Sequence, residues 1–215
     1  MRAFAQERDR WAYTERVVTT DRRGEVRESR LVRHDPSRAP EDRWTLLEED
    51  GKAPSERAQR KFRREMAGAE SKRIRLGAYL QVDRAVLRQE TADAVVYEVP
   101  LRKENNDRLP PEKFQVLVTL RPAPARLAAI DIILREPMRV AVVAKVRAGG
   151  AGIRFAAVSP EHGPVVRSLR GQGEATVFFV KVGGAFTVER SDFKRVTPFD
   201  ERFQVKLDRL DYLDF

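Results

Sequence analysis

Residues 114–146 read FQVLVTLRPAPARLAAIDIILREPMRVAVVAKV, and this stretch decides the fold. Apolar residues occupy alternate positions in three runs, and prolines mark the turns between the runs. The alternating residues are Phe114, Val116, Val118 and Leu120, then Ile130, Ile132 and Leu134, then Met138, Val140, Val142, Ala144 and Val146. A period of two is typical of β-strands with one apolar face and one face in water. The stretch therefore predicts consecutive antiparallel strands of a one-sided sheet.

Downstream, further strands are predicted near residues 152–159, 164–171, 174–182 and 185–191, and a last one is favoured at 203–207. The turns between them are predicted at Gly149-Gly150, Gly171-Gln172-Gly173 and Gly183-Gly184, because glycine favours turn conformations. Connections this short favour hairpins between sequential neighbours, and a sheet of about ten strands curls strongly.

Upstream, strands near residues 11–20 and 25–33 are predicted to form a hairpin, followed by a short strand at 43–48 and, later, one at 92–100. A helix is predicted to begin at Ser55, which can cap it, and to end near Gly68. Ala58, Phe62 and Met66 recur every four residues on this helix and give it a narrow apolar stripe. The helix is therefore expected on a surface and not in a core.

The resulting fold class is mainly β, or α+β, with a strongly curved, half-open antiparallel sheet, an incomplete barrel of about ten strands. One helix covers part of its concave face. No linker divides the chain, so a single domain spanning residues 1–215 is predicted, with a basic helical insertion at about 54–75.

Composition limits the protein class. The 215 residues contain no cysteine, which excludes disulfides, thiolate metal sites and thiol catalysis. No apolar run approaches the length of about 18 residues that a membrane-spanning helix needs. The first ten residues lack the apolar core of a signal peptide, so the protein is expected to be cytoplasmic or to have lost its signal.

The net charge of +9 is concentrated in one segment. Nine basic residues stand against three acidic ones between Lys52 and Arg75, a local net charge of +6. The favoured interpretation is a solvated helix face, and the alternatives are contact with an anionic membrane surface or weak, salt-dependent nucleic-acid binding. The segment lacks the interleaved Asn, Gln and aromatic residues that base contacts need, so no specific nucleic acid is expected.

Catalytic motifs are nearly absent from the sequence. The two histidines, His34 and His162, stand beside Asp or Pro-containing turns and are interpreted as turn residues, which argues against a His-based triad or metal site. The glycine pairs precede no helix and so lack the dipole of a phosphate-binding loop. We therefore expect no enzyme activity, no metal and no cofactor.

The order of elements resembles a known family. A charged N-terminal hairpin and a Trp44 strand lead through Asp50-Gly51 and Pro54 into a basic helix with Phe62. The strands VVYEVPLR, FQVLVTLRPAPARLAAIDIILREPMRV, IRFAAVS and VFFVKVGGAFTVERSDFKRV follow. This order is similar to that of bacterial outer-membrane lipoprotein carriers, the LolA/LolB-like superfamily, including its uncharacterised members. The resemblance implies a half-open, strongly curved sheet whose concave apolar face is covered by helices and shelters acyl chains or another hydrophobic ligand in the periplasm.

The apolar face is the candidate site. Phe62 and Met66 are predicted to form a lid over it. The residues predicted to line the cavity are Val116, Val118, Leu120, Ile130, Ile132, Leu134, Val140, Val142, Ile153, Phe155, Phe178 and Val180.

The expected function is that of a non-enzymatic, monomeric periplasmic protein that binds a hydrophobic ligand or a lipidated protein. Two alternatives remain open at this point. One is a cytoplasmic basic protein that binds nucleic acid non-specifically, and the other is a structural or interaction protein with a closed core.

Overall fold

The computed structural model of the chain describes residues 10–70, 76–104, 110–141, 144–177 and 180–202. Within them, eleven strands form one antiparallel sheet that does not close into a barrel. The strands are β1 (Trp11–Asp21), β2 (Val26–His34), β3 (Trp44–Glu49), β4 (Val86–Glu90), β5 (Val95–Glu98), β6 (Phe114–Arg121), β7 (Arg126–Leu134), β8 (Met138–Ala141), β9 (Ala144–Ala156), β10 (Val165–Val177) and β11 (Val180–Arg195).

Across the sheet the strands follow the order β3-β2-β1-β11-β10-β9-β7-β6-β5-β4, and β8 pairs with the beginning of β9. Most neighbours in this order are also neighbours in sequence, as expected from the short connections. The pairing of β1 with β11 brings the N-terminal strand beside the last one. The predicted mainly β fold with a half-open antiparallel sheet is confirmed.

The described helices are few and short. They are α1 (Glu56–Glu70), α2 (Leu76–Tyr79) and α3 (Phe199–Arg202), with 3-10 turns at Pro40–Asp42 and Val82–Arg84. The hydroxyl of Ser55 accepts a hydrogen bond from the N–H of Ala58 at 3.2 Å, so Ser55 caps α1 as predicted. The strand predicted at 203–207 lies outside the described residues.

The prediction of turns at the glycine pairs is wrong. Gly149, Gly173 and Gly184 lie inside β9, β10 and β11 and stand opposite one another in register. Strands of 13 to 16 residues run through these positions. Glycine is here a residue of close backbone approach and not of reversal, because a Cβ atom on Gly184 would lie 2.3 Å from the carbonyl oxygen of Thr20.

Two hydrophobic clusters lie at separate parts of the sheet. The first joins β1, β2 and β3 to α1 and contains Tyr13, Val32, Trp44, Leu46 and Phe62, with Ala58, Met66 and Phe193 against it. The second joins α2 to β5, β6 and β7 and contains Leu80, Val99, Leu101 and Val116, with Tyr97, Phe114, Val118, Ile130 and Ile132 among its neighbours. Each end of the sheet therefore has its own core.

Candidate functional site

A single row of apolar side chains crosses the middle of the sheet. Residues directly opposite each other in antiparallel strands have side chains on the same face, so the register can be followed from strand to strand. From β1 to β6 the residues in register, which we call the apolar row, are Val17, Val188, Leu169, Ile153, Ile130 and Val118. Five inter-strand spacings of about 4.8 Å give the row a length of about 24 Å.

The row connects the two clusters on one face of the sheet. Val32 of the first cluster is opposite Glu15, two residues from Val17, and Val118 and Ile130 belong to the second cluster. The central members Ile153, Leu169 and Val188 belong to neither cluster. All six residues of the row are half-buried. A continuous, partly open apolar strip therefore runs between the two cores.

A cavity of about 130 Å³ lies between α1 and strands β1 to β3. Its apolar wall is made of Val17, Val32, Trp44, Phe62 and Met66. An apolar cavity of about 150 Å³ is enough to hold a benzene ring, so this one can hold the last few carbons of a chain. Since Val17 belongs both to the cavity and to the apolar row, the two features are contiguous.

The rim of this cavity is charged. Glu15 pairs with Arg190 at 2.8 Å, and the guanidinium of Arg190 lies 4.4 Å from the centre of the Tyr13 ring. Arg30 forms ion pairs with Glu28, with Glu65 at 3.2 Å and with Glu49 at 3.8 Å. Lys61 also pairs with Glu65, at 3.7 Å, so four carboxylates face three cations here. The excess of negative charge disfavours an anionic group at this end of the apolar row.

A second, wider cavity of about 400 Å³ lies over the glycine-rich middle of β9, β10 and β11. It is lined by Thr19, Thr20, Gly150, Ala151, Gly171, Gln172, Gly173, Gly184, Ala185 and Phe186. The ring of Phe186 lies across Gly171, where a Cβ atom would be 2.3 Å from the ring. Because the glycines have no side chains, this cavity is a shallow trough beside the apolar row.

The residues predicted to line a cavity lie in different surroundings, and some of them lie outside the described residues. Val116, Val118, Ile130 and Ile132 pack in or against the second cluster, and Ile153 lies at the centre of the apolar row. Half-buried positions are found for Leu120, Leu134 and Phe155, whereas Val180 is 62% exposed. Val142 and Phe178 lie outside the described residues, as does the side chain of Val140.

The predicted lid residues lie at the other end of the face. Phe62 is buried in the first cluster with Met66 packed against it, so both cover Val32 and Trp44 and are grouped apart from Val116. The structure therefore does not bring this lid together with the strands of the predicted cavity. It brings the lid over the cavity beside Val17.

Sequence reasoning missed three central residues of the site. Val17 lies in a run that was identified as a strand, but its face could not be assigned without the pairing to β11. Leu169 and Val188 are each flanked by polar residues. This alternation indicates a strand, but it does not show with which strand the residue pairs. Only the register places these side chains in one row.

The basic segment and the histidines have ordinary structural surroundings. On α1, Arg60 pairs with Glu56 at 3.2 Å and Lys61 with Glu65 at 3.7 Å, both on solvent-exposed positions. His34 is the last residue of β2, is 4% exposed and lies 4.3 Å from Trp44 between ring centroids, so it is a core residue and not a turn residue. His162 stacks edge-on against Trp11.

Within residues 10–202, wherever the structure is described, no group of three or more His, Asp or Glu side chains could hold a metal ion. Among the helices described, none is long and apolar enough to cross a membrane. Comparisons with family models, with curated proteins and with solved structures give no match to this chain.

Proposed function

We propose that this protein is a non-enzymatic carrier that holds the acyl chain of a lipid along the apolar row. The observation that carries the proposal is the continuity of the row, which joins the cavity under α1 to the second cluster through side chains that are only half-buried. A closed core would bury these residues. Each methylene that a ligand buries contributes about 0.8 kcal/mol, so a long chain binds tightly without any polar contact.

The charges at the cavity rim orient the ligand. Because the carboxylates around Arg30 and Arg190 disfavour an anionic head, the methyl end of the chain lies in the cavity beside Trp44, Phe62 and Met66. The head group then lies toward the middle of the sheet. The proposal includes a monomer in the periplasm, in keeping with the carrier-like order of elements, and a free or protein-linked acyl chain as partner.

Two adjacent residues of β11 give a matched test. Val188 lies in the apolar row, whereas Thr187 faces the other side of the sheet opposite Arg170. Val188→Glu and Thr187→Glu each add one carboxylate to a β-branched position. A fluorescent fatty-acid probe should bind the wild type and Thr187→Glu alike. Val188→Glu should lose at least about tenfold in affinity, because a charge is placed against the chain.

The same experiment separates the alternatives. Equal probe binding by both variants would place the ligand elsewhere and contradict the proposal. No uptake by the wild type would favour the closed-core or nucleic-acid alternatives. Circular dichroism of both variants checks that they are folded.

A further inference from the structure

Four strand ends extend beyond the rest of the sheet. The pairing of β1 with β11 stops at Gly184, and the pairing of β7 with β9 stops at Gly150. In contrast, β10 continues to pair with both β9 and β11 as far as Val177. The portion without β1 or β7 alongside, which we call the β8–β11 extension, consists of residues 138–141, 144–148, 174–177 and 180–183.

Residues in register across the strands of the extension form apolar and basic rows. Nearest the tip, Val177 stands opposite Val180. One residue further back is a basic row in which Arg139, Lys145, Thr176 and Lys181 are in register. Behind it is a second apolar row of Met138, Val146, Ala175 and Val182. Apolar and cationic positions are thus separated by a single residue, about 3.3 Å along the strands.

Two valines of β11 are the exposed apolar side chains of the extension, whereas Met138, Val146, Ala175 and Val177 are half-buried. Val180 is 62% exposed and Val182 is 43% exposed, which are among the largest values for apolar residues in the described chain. In the sequence, Val177 is joined to Val180 by Phe178-Phe179, which lie outside the described residues. Neighbouring exposed aliphatic residues on one strand, rimmed by polar residues, are typical of a site of interaction with a protein or a membrane.

The charge of the extension is strongly positive. Arg139, Lys145, Arg147 and Lys181 are its cations, and Glu174 is its one acidic residue. Arg147 donates a hydrogen bond to the hydroxyl of Thr176 at 2.8 Å. None of these four cations forms an ion pair with another residue that the structure describes. They are available to anionic groups outside the chain.

We propose that the β8–β11 extension docks tip-first onto the surface of an anionic phospholipid bilayer. Val180 enters the boundary between head groups and acyl chains with Val182 behind it, while the cations in the row between them meet lipid phosphates. Long Lys and Arg side chains reach the head groups while apolar neighbours are buried. This surface is distinct from the basic face of α1 and from the acyl-chain site proposed above.

The pattern favours a bilayer over a nucleic acid. A nucleic-acid site needs cations along a groove, often with aromatic stacking, and gains nothing from exposed valines. A bilayer uses both parts, the apolar tip and the basic row. Dependence on the valines therefore distinguishes the two partners.

Vesicle co-sedimentation tests the proposal. Wild-type protein should bind phosphatidylcholine vesicles that contain phosphatidylglycerol and bind vesicles of phosphatidylcholine alone much more weakly. Lys145→Glu/Lys181→Glu should lose at least about tenfold in binding, because each surface cation contributes about fivefold. Val180→Ser/Val182→Ser keeps the charge and should also bind several-fold more weakly.

The matched control is Arg60→Glu/Lys61→Glu on α1, which makes the same change in charge at two exposed positions. It should bind vesicles like the wild type. The proposal is overturned if this control loses as much binding as Lys145→Glu/Lys181→Glu, or if the wild type does not bind anionic vesicles. It is equally overturned if Val180→Ser/Val182→Ser binds vesicles like the wild type, and displacement of the vesicles by a single-stranded oligonucleotide would then identify a nucleic acid as the partner. A failure of acyl-probe binding, in contrast, concerns the carrier function alone.

Discussion

Arg190 links Glu15 at the rim of the cavity to the Tyr13 ring of the first cluster. It pairs with Glu15, and both side chains are less than 20% exposed. Its guanidinium also lies over the ring of Tyr13, which adds a cation–π contact. A buried pair of this kind fixes the orientation of both side chains, because either charge alone would remain buried and unpaired. The rim of the cavity is therefore a defined polar boundary.

Glu98 is the corresponding polar residue at the other end of the sheet. Its side chain is 16% exposed and contacts Arg88 at 2.8 Å, Gln115 at 3.0 Å and Arg135. Burial opposes ionisation of this carboxyl, but the hydrogen bonds from Gln115 and Arg88 and the charge of Arg135 outweigh it. The pKa of Glu98 consequently lies below its ordinary value.

A pH dependence of stability follows for Glu98. Because its pKa is lower in the folded than in the unfolded state, its contribution is complete above the ordinary value of 4.5. It is lost as the pH falls through the folded pKa. Glu98→Gln should lower the free energy of unfolding by about 1 kcal/mol at neutral pH, since the arginine partners are about half exposed. Urea unfolding should show this difference shrinking toward zero in acid, and a difference that persists there would contradict the assignment.

At the scale of elements, the glycines of β9 to β11 show that the sequence alone does not decide whether a glycine lies in a turn or inside a strand. Alternation identified the strands correctly in residues 114–134, where apolar side chains mark every second position. The turn preference of glycine gave the wrong result at Gly171 and Gly184, because glycine occurs both in turns and at close approaches inside strands. What decides between them is the opposing backbone, which the sequence does not contain.

The close approach at Gly184 gives a direct test. A Cβ atom there would meet the carbonyl oxygen of Thr20 at 2.3 Å, and a backbone atom cannot move aside cheaply. Gly184→Ala should therefore lower the free energy of unfolding by about 3 kcal/mol. Gly163→Ala, where no heavy atom lies within 4 Å, is the control and should be nearly neutral. Equal denaturation midpoints for the two variants would show that β1 and β11 are not so closely paired.

For the helix α1, the sequence predicted the start and the apolar stripe but not the surface on which the stripe packs. The spacing of Phe62 and Met66 correctly indicated one apolar stripe, and Ser55 correctly indicated the helix start. The spacing on the helix did not indicate which strands the apolar stripe packs against. It packs on Val32 and Trp44 of the N-terminal strands, because these strands turn the same face of the sheet toward the helix.

At the scale of the whole molecule, the apolar positions of both proposals lie on one face of the sheet, and the basic row of the extension lies on the other face. Leu169 in the apolar row and Ala175 and Val177 in the extension alternate on β10 at a period of two, so they share a face. The apolar row and the apolar positions of the extension therefore lie on the same face, with the glycine-rich trough at Gly171 and Gly173 between them. This arrangement suits a protein that exchanges a lipid with a membrane.

Quenching of Trp44 by brominated fatty acids is the most direct test of the carrier function. The chain has two tryptophans, so Trp11→Phe leaves Trp44 as the one reporter, and it lines the cavity under α1. A fatty acid brominated near its methyl end should quench Trp44 strongly and saturably. The same acid brominated near its carboxyl group should quench much less, because the head group lies several strands away from the cavity, at about 4.8 Å per strand. Equal quenching by both acids, or none by either, would contradict an acyl chain that lies along the apolar row.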